Sequence, residues 1–256
     1  MTPRSLLSLF LSASLLAACQ TAPPNTTPPV AKAIDKAPAP QSQPAPASTA
    51  APVVGKYIAP DAIDLHALLP DPPAPHSPIS GGEIEIILAA QADASLDSRS
   101  RAVVEDGMTV WLFADVLGPN FNAKQMPKTA AFVKQIERDS HAISDRAKKM
   151  WERPRPYIQD PRIKLVTDGP SSNSYPSGHA TRAASWTEVL CLLVPEKADA
   201  IRARGHLIGL DRLILGVHFP SDVAAGNALG KAIVDKMKEN AAFQVDLAAA
   251  RAEWSR

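Results

Sequence analysis

The chain is expected to fold as a compact all-α bundle with its chemistry gathered in loops and helix ends at one end. Three observations lead there. Apolar residues recur at three- and four-residue spacing through most of the chain after Gly81. No convincing two-residue alternation marks a strand. Prolines stand between the periodic stretches, at Pro154, Pro156, Pro195 and Pro220, where helices must stop or start.

In chain order, Leu65–Pro75 (LHALLPDPPAP) reads as an extended or turn-rich arm because of its four prolines. Helices are expected over Glu83–Ala92 and Arg101–Val116. A clearer one covers Thr129–Trp151, with Ala131, Phe132, Ile136, Ile143, Ala147 and Met150 on or near one face. His179–Val194 is apolar nearly all round, the pattern of a central buried helix, and is short for a membrane span. Ala198–Leu215 and Asp222–Met237 complete the set. Residues 241–256 read as a polar, frayed helical tail. Trp111, Trp151 and Trp186 are expected in the core, with Trp151 near enough to the Arg155 loop to line a pocket.

The N-terminal quarter has a different character. Residues 1–18 combine Arg4 with a short apolar run, Leu6–Leu16, as an export signal does. They end in Leu16-Ala17-Ala18-Cys19, which resembles the lipobox of bacterial lipoproteins. That resemblance implies cleavage before Cys19 and acylation of its thiol and amine. Gln20 resembles the sorting pattern for the outer membrane, so the expected location is its periplasmic face, with a soluble periplasmic protein as the alternative. Residues 19–56 are rich in Pro, Ala and Thr, and a disordered linker is expected there. The folded domain is expected over residues 57–240.

Composition excludes some partners. The chain has 27 basic and 26 acidic residues, and loss of Arg4 with the signal leaves 26 of each. A globally basic nucleic-acid binder is therefore not expected. Affinity for anions must come from a local cluster. The two cysteines are Cys19 and Cys191. With Cys19 acylated no disulfide forms, and Cys191 in its apolar stretch reads as a buried, inert thiol.

Three blocks carry residue types suited to phosphate chemistry: Lys148-x6-Arg155-Pro156, Pro176-Ser177-Gly178-His179, and Arg212-x5-His218-x3-Asp222. Charge accumulates on the oxygens of a phosphoryl group in transfer, and fixed cations stabilise it best. Lys148, Arg155 and Arg212 meet that need. Ser177 and Gly178 open a helix whose free N–H groups add donors, and the serine hydroxyl can donate too. Of the two imidazoles His218 is the better nucleophile, because Asp222 four residues on can fix its tautomer. His179 is then the general acid. The His and Asp residues could instead hold a metal, but three neighbouring cations oppose it. No metal and no cofactor are expected.

In this order the blocks resemble the type 2 phosphatidic acid phosphatase superfamily, which includes bacterial class A non-specific acid phosphatases, membrane lipid phosphatases and vanadium haloperoxidases. The arm Leu69-Pro70-Asp71-Pro72-Pro73 resembles that of the class A enzymes, so the likeness covers about residues 57 to 240. It implies an all-helical fold, phosphate binding by Lys148, Arg155, Ser177, Gly178 and Arg212, His179 as acid, His218 as nucleophile supported by Asp222, no metal requirement and an acidic optimum. Small phosphate monoesters are the implied substrates. The family usually has serine before the last arginine, whereas this chain has Asp211, which could weaken the local positive field or anchor the arginine. A vanadate-dependent haloperoxidase and a non-enzymatic envelope lipoprotein are the alternatives. The sequence allows a homo-oligomer without requiring one. If Cys19 carries the anchor, Cys19→Ser moves the protein from the membrane to the soluble fraction on cell fractionation.

Overall fold

The computed structural model describes residues 55–254, all helices and loops, with no strand among them. The proposed signal, Cys19 and nearly all of the expected linker lie outside the described residues.

The chain enters at Tyr57, whose amide donates to Asp139 and whose ring packs edge-on against Phe132 and Phe243. A single turn, α1 (Leu65–Leu68), is capped by Asp64. It replaces the first residues of the expected extended arm. The prolines that follow are fastened from above: the Tyr175 hydroxyl donates to Pro70 O at 2.6 Å, and Trp151 Nε1 donates to Asp71 at 2.7 Å. Trp151 is thus a buried anchor for the arm and does not line the cavity described below.

Helix α2 (Pro78–Asp93) starts five residues earlier than the spacing suggests, because Ser77 caps it and Pro78 suits a first helical position. The helix expected over Arg101–Val116 is broken. Helix α3 (Leu96–Asp106) stops at Gly107, Met108 takes φ 33°, and a 3-10 turn (Val110–Phe113) leads into the short α4 (Ala114–Leu117). Gly107 itself stays right-handed (φ −70°) and Met108 takes the left-handed turn, so the glycine marks the stop only through its low helix propensity.

Helix α5 (Pro127–Met150) buries Phe132, Val133, Ile136, Ile143 and Ala147; Ala131, expected on that face, is exposed. One turn, α6 (Pro156–Gln159), follows Arg155. Helix α7 (Gly178–Leu193) is the central element. It packs against α5, α8 (Ala198–Ile214) and α9 (Pro220–Met237).

The closest of these packings depends on two glycines of α9. A Cβ on Gly226 would stand 2.5 Å from Ser177 O, and one on Gly230 would stand 2.3 Å from Thr181 O. Their absence lets the two helices touch backbone to backbone. The first turn of α9 is thereby brought against the first turn of α7, and Ser177 N donates to Asp222 O at 2.9 Å.

The tail expected as helical, polar and frayed over residues 241–256 is helical over Ala241–Trp254 (α10), but it is packed rather than frayed. It packs along α5 and buries Phe243, Leu247 and Ala250. Glu253 accepts from the amides of Lys128 and Thr129 and so caps the start of α5. The apolar positions 243, 247 and 250 follow helical spacing, so the pattern was present but diluted by alanines. Phe243→Ala should cost about 3–5 kcal/mol, the usual range for emptying a fully buried phenylalanine site, measured by denaturant unfolding.

Candidate active site

The three blocks meet at one end of the bundle. Lys148 comes from the last turn of α5, Arg155 from the residue before α6, and Ser177, Gly178 and His179 from the start of α7. His218 and Asp222 come from the entry to α9. Lys148, Arg155, Gly178, His179 and His218 line one cavity of ≈ 180 Å³. Ser177, Arg212 and Asp222 are fully buried and lie outside its lining.

His218 is held from two sides. Its Nδ1 lies 3.2 Å from Asp222 Oδ2, and Arg155 Nη1 stands 2.9 Å from Nε2. A guanidinium only donates and an ionised carboxylate only accepts. The proton therefore sits on Nδ1, and the Nε2 lone pair faces the arginine. Burial, with Arg155 and Lys148 nearby, pulls the His218 pKa down to about 3 against the opposing influence of Asp222. The ring is neutral at any pH well above that value.

Asp222 is fully buried, which by itself would push its pKa up. Hydrogen bonding to His218 and Ser174 and the charge of Arg153 overcome that and hold it near 2. Its Oδ2 accepts from the Ser174 hydroxyl at 2.5 Å and from Phe219 N at 2.9 Å, while Arg153 Nη1 reaches Oδ1 at 2.6 Å. The bond to Phe219 N also satisfies a free donor at the start of α9.

Lys148 donates to the carbonyls of Asn173 and Pro176 at 2.7 and 2.8 Å. Burial and the neighbouring Arg155 lower its pKa to about 7, so it loses charge as pH rises through neutrality. Arg155 also donates to Val217 O and to Ser172, fixing its plane. A Cβ on Gly178 would meet Lys148 and Ser144 at ordinary contact distance, 3.6 Å. The Ser177 hydroxyl accepts from Ala180 N at 3.3 Å, so it caps α7.

Arg212 is fully buried and pairs with Asp106 at 2.9 Å, with Ala102 O as a second acceptor. Its Nε is buried with no partner, so donor capacity remains. Asp106 lines the cavity in front of it. Asp211 turns away from the cavity. Arg101 grips it through two bonds of 2.8 and 2.9 Å. Of the two roles considered for Asp211, weakening the field or anchoring the arginine beside it, neither is direct: its charge is matched by Arg101.

His179 Nε2 lies 3.3 Å from Asp106 O. A carbonyl only accepts, so the neutral ring carries its proton on Nε2. Burial pulls its pKa well below the usual imidazole value, helped by Arg212 and His218, and the Asp106 carbonyl opposes this.

Several partners escaped the sequence reading. Arg153 joins Asp222 to Glu83 of α2 (2.7 Å) and lies 3.8 Å from the Phe219 ring centre, yet it falls in the spacer of the first block, two residues before Arg155, where the pattern specifies no residue type. Asp106 and Ser174 had no motif to mark them. His141, which lies outside the three blocks, is exposed but stands in the cavity wall, 3.0 Å from Asp145. Cys191 is half-buried, and burial raises its thiol pKa, in line with an inert role. Among the described residues no group of three His, Cys, Asp or Glu is placed to hold a metal ion.

Residues 135–235 match the family model described as the PAP2 superfamily, and every one of the three blocks falls within them. Over those residues the chain is similar to the PAP2 superfamily. It is 33% identical over 145 residues to an acid phosphatase of Zymomonas mobilis subsp. mobilis, covering 55% of each chain. It is 30% identical over 174 residues to a non-specific acid phosphatase of Salmonella typhi, covering 64% of each. The matched stretch therefore spans less than two thirds of these relatives. The crystal structure of a transmembrane PAP2 type phosphatidylglycerolphosphate phosphatase from Bacillus subtilis shares the fold, with TM-score 0.51, 20% identity, and coverage of 64% of this chain and 87% of that one. No described helix is long and apolar enough to cross a membrane.

The shifts carry a sign for stability. The unfolded chain takes a proton on His218 near the ordinary 6.5, and the folded protein refuses it down to about 3, so stability falls as pH drops across that window. Asp222, ordinarily near 3.8 and held near 2, adds a loss only at the bottom of it. Thermal unfolding midpoints should therefore decline from pH 6.5 toward 3, and His218→Asn should flatten that slope.

Proposed function

We propose that the protein is a metal-independent acid phosphatase that hydrolyses phosphate monoesters through a phosphohistidine. The observation that carries this reading is the state of His218: proton on Nδ1 against Asp222, lone pair on Nε2. His218 lines a cavity also lined by Lys148, Arg155 and His179.

In the first step Nε2 of His218 attacks phosphorus, an N–P bond forms and the ester P–O bond breaks. His179, protonated, gives its proton to the departing alkoxide. In the second, water attacks phosphorus, loses a proton to His179 and displaces Nε2, releasing inorganic phosphate. Lys148, Arg155 and the amides at the start of α7 neutralise charge on the equatorial oxygens. Arg212 adds to that field from behind the wall. These cations supply the charge stabilisation that a metal ion gives in other phosphatases, which supports metal independence.

Rising pH removes two of the required charges. Lys148 is lost as a cation near 7, and His179, with its pKa far below the ordinary imidazole value, is lost as an acid earlier. His218 becomes protonated and non-nucleophilic only near 3. The activity is thus confined to acidic pH. The export signal and the Cys19 sequence support a place in the cell envelope, on the periplasmic face of the outer membrane.

Hydrolysis of a chromogenic phosphate ester should persist in a chelator, peak at acidic pH and be inhibited by vanadate. His218→Ala should lower kcat by at least about 10⁴-fold, as loss of a nucleophile does, and should yield no phosphohistidine on quenching in base. His179→Ala should lose about 10²–10⁴-fold with alkyl esters and less with activated aryl esters. Phosphohistidine trapped in His218→Ala, or activity abolished by the chelator, overturns the mechanism.

A further inference from the structure

The cavity has an outer half beyond the residues assigned to the two chemical steps, though Arg182 on that side joins burial and the other nearby charges in lowering the His179 pKa. From Lys148, α5 continues along the wall through Asp145, Ser144 and His141. His141 is seven residues, roughly 10 Å, from Lys148. On the facing helix, Thr181 and Arg182 lie two and three residues beyond His179, so Arg182 stands roughly 4.5 Å further along α7. An alcohol that takes its proton from His179 must extend into this half.

Arg182 differs from the other cations of the wall. Lys148 and Arg155 have their donors tied to backbone carbonyls. Among the described residues, the one ion pair of Arg182 is to Glu137 at 3.4 Å, and it makes no side-chain hydrogen bond. Such a long, partly exposed pair is weak, and the guanidinium keeps donors for a ligand. The carboxylates of the wall are opposed by other groups: Asp106 by Arg212, and Asp145 by His141 when that ring is protonated. Among the described residues only Glu137, outside the lining, competes for Arg182.

We propose that Arg182 is a specificity-determining residue that selects phosphate monoesters whose leaving alcohol carries a second anionic group, a carboxylate or a further phosphate. The inference rests on the phosphatase reading above. It concerns the leaving group alone, since the phosphoryl group is held by the inner cations.

The test compares phenyl phosphate with 4-carboxyphenyl phosphate on the full-length protein at its acidic optimum, where the carboxylate lies a ring's width from the ester oxygen. The quantity read is the ratio of their kcat/KM values. The wild type should favour the carboxylated ester. Arg182→Gln should reduce that ratio by about five-fold, the upper range for a partly exposed charge pair. Arg182→Lys should keep most of it, and Arg182→Glu should invert it. Added salt should shrink the wild-type preference and leave the Arg182→Gln ratio unmoved. A ratio that is the same in the wild type and in Arg182→Glu overturns the proposal while leaving the phosphatase reading intact. Failure of the wild type to cleave either ester overturns both.

Discussion

A fully buried carboxylate must be surrounded by donors or it takes up a proton, and Asp222 draws its donors from three stretches of chain. Arg153 comes from the loop after α5, Ser174 from the loop before α7, and His218 and the Phe219 amide from the entry to α9. Each of those segments also carries or adjoins a cavity-lining residue: Arg155, Gly178 and His218 itself. The same ion that fixes the histidine tautomer therefore fixes the positions of the loops around it. Arg153 extends the network to Glu83, so α2 is bound into it as well.

That arrangement requires the starts of α7 and α9 to lie side by side, and the requirement is met by small residues rather than by polar ones. Gly226 and Gly230 let α9 approach until its missing side chains would overlap carbonyls of α7. The backbone bond from Ser177 to Asp222 closes the contact. On the other flank the α3–α8 seam is charged. Asp106 pairs with Arg212, Arg101 with Asp211, and Arg204 with Glu105. Burial and the adjoining Asp211 raise Glu105 to about 7, so one proton in this seam is held near neutrality. Asp211 adds little to the field at the cavity, because Arg101 matches its charge within the seam.

The inner and outer halves of the cavity differ in rigidity for physical reasons. Cations whose protons are tied to carbonyls are pre-organised and need little rearrangement when charge develops. Arg182 and the His141–Asp145 pair have exposed faces and long or solvent-screened contacts. Such groups can shift position more readily than the cations tied to carbonyls.

By itself, the sequence determined the helical class, the order of the main helices and the identity of the residues in the three blocks. It could do so because buried faces impose a periodicity and phosphate chemistry restricts side-chain types. It missed the burial of α10, where alanines diluted the spacing, and the break in the Arg101–Val116 stretch, where the helix ends at Gly107-Met108 against an apolar pattern that continues. Tertiary structure alone decided which block residues reach the cavity. Arg212 and Ser177 are one layer behind it, and His141 and Arg182, which no motif marks, form its outer wall. Arg153, Ser174 and Asp106 were invisible for the same reason: a partner recruited across many residues of sequence leaves no local pattern, because its position is set by where the helices cross.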